Sequence, residues 1–356
     1  MPELPEFDPE LPSPWGPPPG RADFKRRPED FHVVELIHPV PEDTGEHLWL
    51  RVRKRGINTD QAARRLARLA GIPPRRVAHA GLKDRQAVAE QWFSLHLPGR
   101  FDRDDALARH AEPTLEVLEA IRHTRRLRPG ALHGNRFRIR LRDIQGDADA
   151  VAERLYRIVA QGFPNYFGPQ RFGHAYRNWE DGLRLLQGES GRIDRHRRGL
   201  LMSALRSHLF NRVLAARVRD GIWNRCLAGD LMQLDGRSAC FTAEACDATL
   251  EERLARGEIH PTGPLPGRVT RAPAGVAAQY EREVLAPFAP VVEGLERLGV
   301  ESGRRALRAP VHEFSVRHED GDLEVAFRLP PGSYATVFLA MAVELTGPVP
   351  PHPVLR

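Results

Sequence analysis

The amino-acid sequence predicts an α+β fold, in which a mixed, mainly antiparallel sheet is interrupted by an inserted domain. Strand patterns concentrate near both ends of the chain, helical patterns dominate the middle, and the sequence contains no internal repeat. A length of 356 residues is sufficient for one large or two medium domains. The hydrophobic fraction of 41% is ordinary for a globular protein.

Before residue 100 the sequence predicts four strands and one helix. Short apolar segments give the strands at residues 32–37, 47–52, 77–81 and 91–97. Asn58 and Gln61 form a capping box at the start of the helix, and Gly71 with the prolines beyond it ends the helix.

The clearest strand pattern in the chain lies at residues 135–143. Phe137, Ile139 and Leu141 occupy alternate positions, which is typical of a strand with one buried face. The opposite face carries Arg136, Arg138, Arg140 and Arg142. A solvated face and a phosphate-binding face are equally consistent with this row.

The rest of the chain contains helices, a weak region and a hairpin. Asp147 caps a helix that runs to about residue 160, and a second helix is predicted at residues 200–220. The pattern is weak at residues 220–310. A hairpin turning at Asp320-Gly321 joins residues 311–316 to 323–329, and Ser333 caps a final helix through Leu345.

The first 20 residues are rich in proline. They include Pro2, Pro5, Pro9, Pro12, Pro14, Pro17, Pro18 and Pro19. Since proline lacks a backbone donor and breaks helices and central strands, we expect a loose extended arm, with folded structure beginning near Phe24.

The charge balance favours a polyanionic partner. The net charge is +6, and only Lys25, Lys54 and Lys83 among the 53 Lys+Arg residues are lysine. Coding bias explains most of the arginine excess. The remaining lysines suggest positions that a planar guanidinium cannot fill.

Cysteine usage and the absence of membrane signals predict a cytoplasmic protein. Cys226, Cys240 and Cys246 are odd in number and lack metal-type spacing, so we expect reduced thiols. No secretory pattern opens the chain, and the apolar run at residues 337–343 is too short to span a bilayer.

Asp84 is the strongest candidate for a catalytic group. It lies between Lys83 and Arg85, directly after a glycine-containing turn, and neighbouring cations favour an ionised carboxylate. On an extended backbone these two neighbours point away from Asp84, so Lys25 is a candidate for its partner. A surface cluster of salt bridges is the alternative interpretation.

A second candidate segment, residues 165–173, mixes aromatic, amide and cationic side chains. Its candidate RNA-binding residues are Asn165, Tyr166, Gln170, Arg171 and Phe172. Such side chains stack on bases and bind phosphates. A packed loop with its aromatic rings in the core is the alternative. The sequence shows no zinc-binding or nucleotide-binding motif, so neither a metal nor a nucleotide cofactor is expected.

Taken together and in this order, these segments resemble TruD-type pseudouridine synthases. The matching segments are residues 25–31, 33, 35, 80–87, 91–92, 130–137, 165–173, 203–207, 210–211 and 329–336. The resemblance runs from Phe24 to about Leu345. The blocks Gly-Leu-Lys-Asp and Asn-Tyr-Phe-Gly-x-Gln-Arg-Phe-Gly are specific to that family.

The resemblance implies a fold, a reaction and a set of site residues. It implies a pseudouridine-synthase catalytic domain at residues 24–160 and 309–356 and a TruD insertion at 161–308, and the arm at 1–23 is longer than the family needs. The reaction is isomerisation of uridine 13 in tRNA, by a monomer without cofactor or metal. The implied residues are Asp84 as catalytic carboxylate, with Lys25, Lys83, Asn135, Phe137 and Tyr334 in or supporting its pocket; Tyr334 stands where phenylalanine is usual.

The enzyme interpretation expects a buried carboxylate at Asp84, walled by aromatic rings. Two alternatives remain. One is a non-catalytic tRNA-binding or tRNA-folding protein on the same scaffold. The other is a hydrolase of nucleosides or sugars, which needs a second carboxylate near Asp84, from Glu29, Asp30 or Glu35.

Overall fold

The structure, a computed structural model, describes residues 6–37, 42, 44–99, 102, 104–128, 130–189, 191, 193–269 and 271–347. Its strands are β1 (Gly20–Phe24), β2 (Phe31–Leu36), β3 (His47–Arg55), β4 (Val77–His79), β5 (Val88–His96), β6 (Ala111–Glu112), β7 (Leu115–His123), β8 (Gly134–Gly146), β9 (Phe163–Pro164), β10 (Asp230–Leu234), β11 (Cys240–Ala243), β12 (Ile259–Leu265), β13 (Gly303–Ala306), β14 (Arg308–Ala309), β15 (His312–Glu319), β16 (Asp322–Leu329) and β17 (Glu344–Thr346). Its α-helices are α1 (Thr59–Ala70), α2 (Asp104–Ala108), α3 (Ala148–Gln161), α4 (Arg177–Gln187), α5 (Arg195–Arg219), α6 (Ala248–Ala255), α7 (Gly275–Leu285), α8 (Ala289–Arg297) and α9 (Ala335–Ala340).

The larger sheet is built from both ends of the chain. Its strand order is β15-β16-β8-β2-β5-β3-β7-β6, with β4 added at β5 and with β1 joined to both β8 and β17. The pairs β2–β5 and β1–β17 are parallel, and the other pairs are antiparallel. This mixed sheet with flanking helices is the predicted α+β fold.

Strand β8 organises the larger sheet. Phe137, Ile139 and Leu141 are buried on one face, as the alternation predicts. One edge of β8 pairs with β16, while β2 and then β1 follow each other along the opposite edge. The connection between β1 and β2, which contains Lys25, therefore lies beside the middle of β8.

Carboxylates neutralise most of the arginine face of β8. Arg136 donates to Glu313 at 2.8 Å, Arg140 to Asp322 at 2.6 Å, and Arg142 to Asp30 at 2.7 Å. Of the two interpretations of this row, the structure favours a solvated, ion-paired face over one that binds phosphate.

A second sheet, of order β11-β10-β12-β13, lies within residues 230–306. Strands β9 and β14 pair with each other, so the two ends of the segment between them lie side by side. An inserted domain requires the chain to leave and return at neighbouring points, as it does here. The boundaries 161–308 stay a prediction. The core is continuous across the junction, since Phe210 of α5 belongs to the same cluster as Phe327 and Phe338.

The prediction of a loose N-terminal arm is wrong for residues 6–23. Leu11 is 6% exposed, and Phe7 stacks on Tyr176 with ring centroids 4.3 Å apart. Although prolines donate no backbone hydrogen bonds, carbonyls in the arm accept them: the Tyr166 hydroxyl donates to Pro12 O at 3.1 Å. Regular structure begins with β1 at Gly20, and residues 1–5 lie outside the described residues.

The prediction of one C-terminal helix through Leu345 is also wrong. Helix α9 ends at Ala340, Ser333 makes no capping hydrogen bond, and Glu344–Thr346 forms β17 against β1. A continuous apolar run does not distinguish a buried helix from a buried strand, and β1 is too distant in sequence to signal the pairing. No helix in the described ranges is long and apolar enough to cross a membrane.

Two of the cysteines are not free thiols. Cys226 and Cys246 form a disulfide with their Cα atoms 5.8 Å apart, and Cys240 is free. The register of β10 and β11 explains the pairing, because it sets Asp230 opposite Ala243 and so brings together the segments that precede and follow this hairpin. A separation of 20 residues carries no local signal for it.

The packed arm makes a stability prediction. Replacing Leu11 by Ala leaves a cavity and lowers the free energy of unfolding by about 2–4 kcal/mol, measured by urea denaturation. The matched control is Leu69→Ala in α1, where 40% of the residue is exposed and the change stays within about 0.5 kcal/mol. A loose arm would make the two variants equally neutral.

Candidate active site

Asp84 lies in the loop between the paired strands β4 and β5, and buried side chains hold this loop. Thr59 is 1% exposed and accepts a hydrogen bond from Lys83 N at 2.8 Å. Gln91 is fully buried and donates to Gly81 O at 2.6 Å, while its amide oxygen accepts from Thr59 at 3.0 Å. The first half of the loop is therefore fixed to α1 and β5.

Lys54 fixes the backbone of Asp84 itself. Its side chain is fully buried, and its Nζ donates to Ile57 O at 2.8 Å, Asp84 O at 2.8 Å and Lys83 O at 3.4 Å. Burial lowers the pKa of Lys54 to about 8. All three acceptors are main-chain carbonyls, so this ammonium group acts as a clamp between β3 and the loop.

Lys25 forms an ion pair with Asp84 Oδ2. Only 3% of Lys25 is exposed, and its Nζ lies 3.9 Å from the centroid of the Phe31 ring. Its backbone has φ +56°, in the left-handed region, at the bend between β1 and β2. Gln86, two residues after Asp84, donates to Lys25 O at 2.8 Å and so ties this bend to the loop.

The expectation of a buried carboxylate at Asp84 is wrong. The Asp84 side chain is 46% exposed, whereas the Lys25 side chain is 4% exposed. The carboxylate projects from an irregular loop and pairs with the buried lysine. Among the described residues, Oδ2 is paired with Lys25 and Oδ1 accepts no hydrogen bond.

Lys83, the third lysine, forms a buried ion pair beside the loop. Its Nζ lies 2.7 Å from Glu35 Oε1, with side-chain exposures of 9% and 0%. Glu35 Oε2 also accepts from Trp92 N at 3.0 Å. All the lysines in the sequence thus contact Asp84 or support its loop. Lys54 was not among the site residues predicted from the sequence. The available signal was that lysine is rare in this arginine-rich chain.

Asn135 and Phe137 lie near this cluster on β8. Asn135 is opposite Glu35 in the sheet register, is 9% exposed, and its Oδ1 has no hydrogen-bond partner in the described part of the chain. Phe137 packs between Phe31 and Phe327, with centroid distances of 5.8 and 5.2 Å, and is 7% exposed. Only a small part of this ring is accessible for stacking.

The three carboxylates named for a hydrolase are engaged elsewhere. Glu29 pairs with Arg55, Asp30 with Arg142, and Glu35 with Lys83. Asp30 and Glu35 are, in addition, almost fully buried. All three carboxylates are therefore neutralised by cations of the fold.

The predicted RNA-binding segment divides into buried and accessible residues. Tyr166 and Phe172 are 0% and 2% exposed and belong to the main core, so their predicted role in base stacking is wrong and the packed-loop alternative holds for them. Asn165 is buried and accepts from Arg305 at 2.6 Å. Gln170 is exposed and Arg171 is partly exposed.

Tyr334 lies with this second segment. Its hydroxyl accepts from Arg171 Nε at 3.2 Å, and its ring is 6.2 Å from that of Phe167. No hydrogen bond joins Tyr334 to Asp84 or Lys25 in the described part of the chain. The described residues contain no group of His, Cys, Asp and Glu side chains suited to a metal ion.

Comparisons with known proteins identify the family. The family model described as tRNA pseudouridine synthase D (TruD) matches residues 17–192 and 190–341. A tRNA pseudouridine synthase D from Methylococcus capsulatus is 47% identical over 344 residues, 96% of each chain. Another, from Pseudomonas entomophila, is 44% identical over 327 residues, 92% of each chain.

A solved structure shares the fold. The crystal structure of a TruD-type protein from Methanosarcina mazei superposes with a TM-score of 0.72 at 20% identity, and the match covers 96% of this chain and 98% of the other. The family model and the relatives together cover nearly the whole described chain. The chain belongs to the TruD family of tRNA pseudouridine synthases.

Proposed function

We propose that this protein isomerises uridine 13 of tRNA to pseudouridine, with Asp84 as the catalytic carboxylate. The observation that carries the proposal is the half-exposed carboxylate of Asp84, paired through one oxygen with the buried Lys25. A carboxylate held in this way can act as a nucleophile or as a base. The other oxygen faces no protein donor among the described residues.

The reaction needs no atoms beyond those of the substrate and a proton relay. The N1–C1′ bond of uridine breaks and a C5–C1′ bond forms, while C5 loses a proton and N1 gains one. No net oxidation or reduction takes place. A carboxylate that accepts a proton or forms a transient covalent bond is therefore sufficient as the reactive protein group.

The exposure of Asp84 suits a macromolecular substrate. The target nucleotide must leave its stack, which costs a few kcal/mol, and it then covers the carboxylate from the solvent side. The Lys54 clamp and the Lys25 ion pair hold Asp84 before the nucleotide arrives. A group held in advance avoids an ordering cost during the reaction. A tRNA substrate also agrees with the predicted cytoplasmic location.

Asp84→Asn tests the catalytic role. The substitution keeps the shape and removes the charge, so we expect pseudouridine formation at position 13 of tRNA to fall at least ~10³-fold, with tRNA affinity retained. The measurement is mapping of pseudouridine in tRNA after incubation with each variant. Asp143→Asn is the matched control, since Asp143 also pairs with a cation, Arg26 at 2.6 Å, but lies on the exposed surface.

Three results would contradict the proposal. Wild-type activity of Asp84→Asn would exclude catalysis by this carboxylate. Isomerisation at another position would exclude uridine 13. Absence of isomerisation by the wild-type protein, together with tight tRNA binding, would favour the non-catalytic alternative.

Lys54→Met tests the clamp. The substitution keeps a similar length of apolar chain but removes the hydrogen bonds to Asp84 O and Lys83 O. Misplacement of a reactive group by about 1 Å costs ~10²-fold in rate, so we expect kcat to fall by about that factor while KM for tRNA changes little. Single-turnover kinetics separate the two. A purely structural role would instead lower the amount of folded enzyme at unchanged kcat.

The buried ammonium of Lys54 also predicts a pH dependence of stability. Its pKa is lowered to about 8 in the folded protein, against about 10.4 in an unfolded chain. Between these values the unfolded state binds more protons, so the free energy of unfolding rises with pH. Wild type should therefore gain stability relative to Lys54→Met from about pH 8 to 10, by a few kcal/mol at most. If urea denaturation gives a difference in free energy of unfolding that does not change between pH 8 and pH 10, the lowered pKa of Lys54 is contradicted.

A further inference from the structure

Two guanidinium groups converge on one ring at the junction of the two sheets. Arg171 and Arg305 lie 5.4 and 4.2 Å from the centroid of Phe167. Arg171 comes from the 3₁₀ turn Pro169–Phe172, and Arg305 comes from β13. Within the described part of the chain, neither forms a salt bridge with a carboxylate.

This lack of carboxylates distinguishes the pair from two other arginines that are largely removed from solvent, Arg217 and Arg304. Arg217 pairs with Asp230 at 2.6 Å, and both side chains are fully buried. Arg304, the neighbour of Arg305, pairs with Glu281 at 2.6 Å. Because side chains alternate along a strand, Arg304 and Arg305 lie on opposite faces of β13. The face of Arg305 carries its positive charge without a counter-ion.

Neutral acceptors hold both guanidiniums in place. Arg305 donates to Asn165 O at 3.1 Å, to Asn165 Oδ1 at 2.6 Å and to Gly332 O at 2.9 Å. Arg171 donates to the Tyr334 hydroxyl and to Ser203 Oγ, both at 3.2 Å. These bonds orient the two cations but leave their charge uncompensated.

The electrostatics favour an anion at this position. Burial lowers the pKa of Arg305 to about 10, and the charge of Arg171 adds to this effect. Arg206 lies three residues after Ser203 on α5, and its Nε has no hydrogen-bond partner among the described residues. Residues three apart share a helix face. Arg171 and Arg305 thus place two cations without carboxylate partners beside one ring, and charges removed from water without a counter-ion are costly.

We propose that Arg171, Arg305, Ser203 and Tyr334 bind a phosphodiester group of the RNA backbone. Guanidinium forks match phosphate oxygens bidentately, and each hydroxyl supplies a further donor. The inference rests on the proposed function for its ligand, a tRNA. It assigns to Tyr334 a phosphate contact in place of the base-stacking pocket position that the family resemblance implies.

The sheet register connects this cluster to Asp84. Gly332, which accepts from Arg305, follows the end of β16 at Leu329. Leu329 pairs with Asn135, and Asn135 pairs with Glu35, the partner of Lys83. Adjacent strands lie about 4.8 Å apart. The cluster is therefore connected to the Asp84 loop through neighbouring strands of one sheet, which agrees with a single RNA contacting both.

The salt dependence of tRNA binding tests the inference. Removal of one cation that binds a phosphate lowers the magnitude of the slope of log K against log salt by about 0.7–0.9. We expect such a decrease for Arg171→Gln and Arg305→Gln, and wild-type slope for Arg171→Lys, which keeps the charge. Arg109→Gln, at an 82% exposed side chain directly after α2, is the control for removal of one positive charge and should leave the slope unchanged.

The outcomes separate this inference from the proposed function. An unchanged slope in a folded Arg171→Gln protein overturns the phosphate site, whatever the catalytic activity. Thermal unfolding shows whether each variant is folded. If Arg305→Gln is unstable, the result for Arg171→Gln alone decides. A decrease equal to that of Arg109→Gln also overturns it. If the slope falls as expected but the wild-type protein forms no pseudouridine, the phosphate site stands and the proposed reaction fails.

Discussion

The buried ammonium groups of Lys25 and Lys54 are the constraint on which the site depends. A cation removed from water must be paired or hydrogen-bonded, because an isolated buried charge costs several kcal/mol. Lys25 forms an ion pair with the carboxylate of Asp84, and Lys54 donates a hydrogen bond to the main-chain carbonyl of Asp84. Both requirements are met only when the loop between β4 and β5 places residue 84 at one point. The position of the carboxylate is thus fixed by the two buried ammonium groups, which both require partners at residue 84.

The choice of lysine over arginine follows from the same geometry. Lys54 Nζ donates to carbonyls of residues 57, 83 and 84 from a single atom, which suits a compact ammonium with three donors and not a planar fork. Lys25 lies over the face of Phe31, where a small cation can still reach Asp84. In a chain with 53 basic residues, lysine occurs only at these positions and at the neighbouring Lys83.

Sequence predicted the fold where local signals decide it. The capping box of Asn58 and Gln61 and the alternation around Phe137 depend on a few adjacent residues, and both occur as expected. Three features were predicted wrongly because they depend on partners that are distant in sequence. They are the packing of Leu11, the strand β17 and the disulfide between Cys226 and Cys246. The same division applies to the site. Asp84 can be recognised from its neighbours in sequence, whereas the hydrogen bonds of Lys54 to the loop are visible only in the folded structure. Sequence alone also does not tell that Tyr166 is buried and not exposed for stacking on a base.

Net positive charge alone does not locate an RNA-binding surface on this protein. On β8 the guanidiniums of Arg136, Arg140 and Arg142 are neutralised by carboxylates of the fold, so their charge contributes little to attracting a polyanion. Arginines that are oriented by neutral groups, as Arg171 and Arg305 are, keep their charge available to the phosphate that we propose they bind. Asp84 adds a negative charge close to the path of the RNA, and its ion pair with Lys25 offsets the repulsion of the phosphates. The ion pair that holds the carboxylate in place therefore also favours the approach of a polyanion to it.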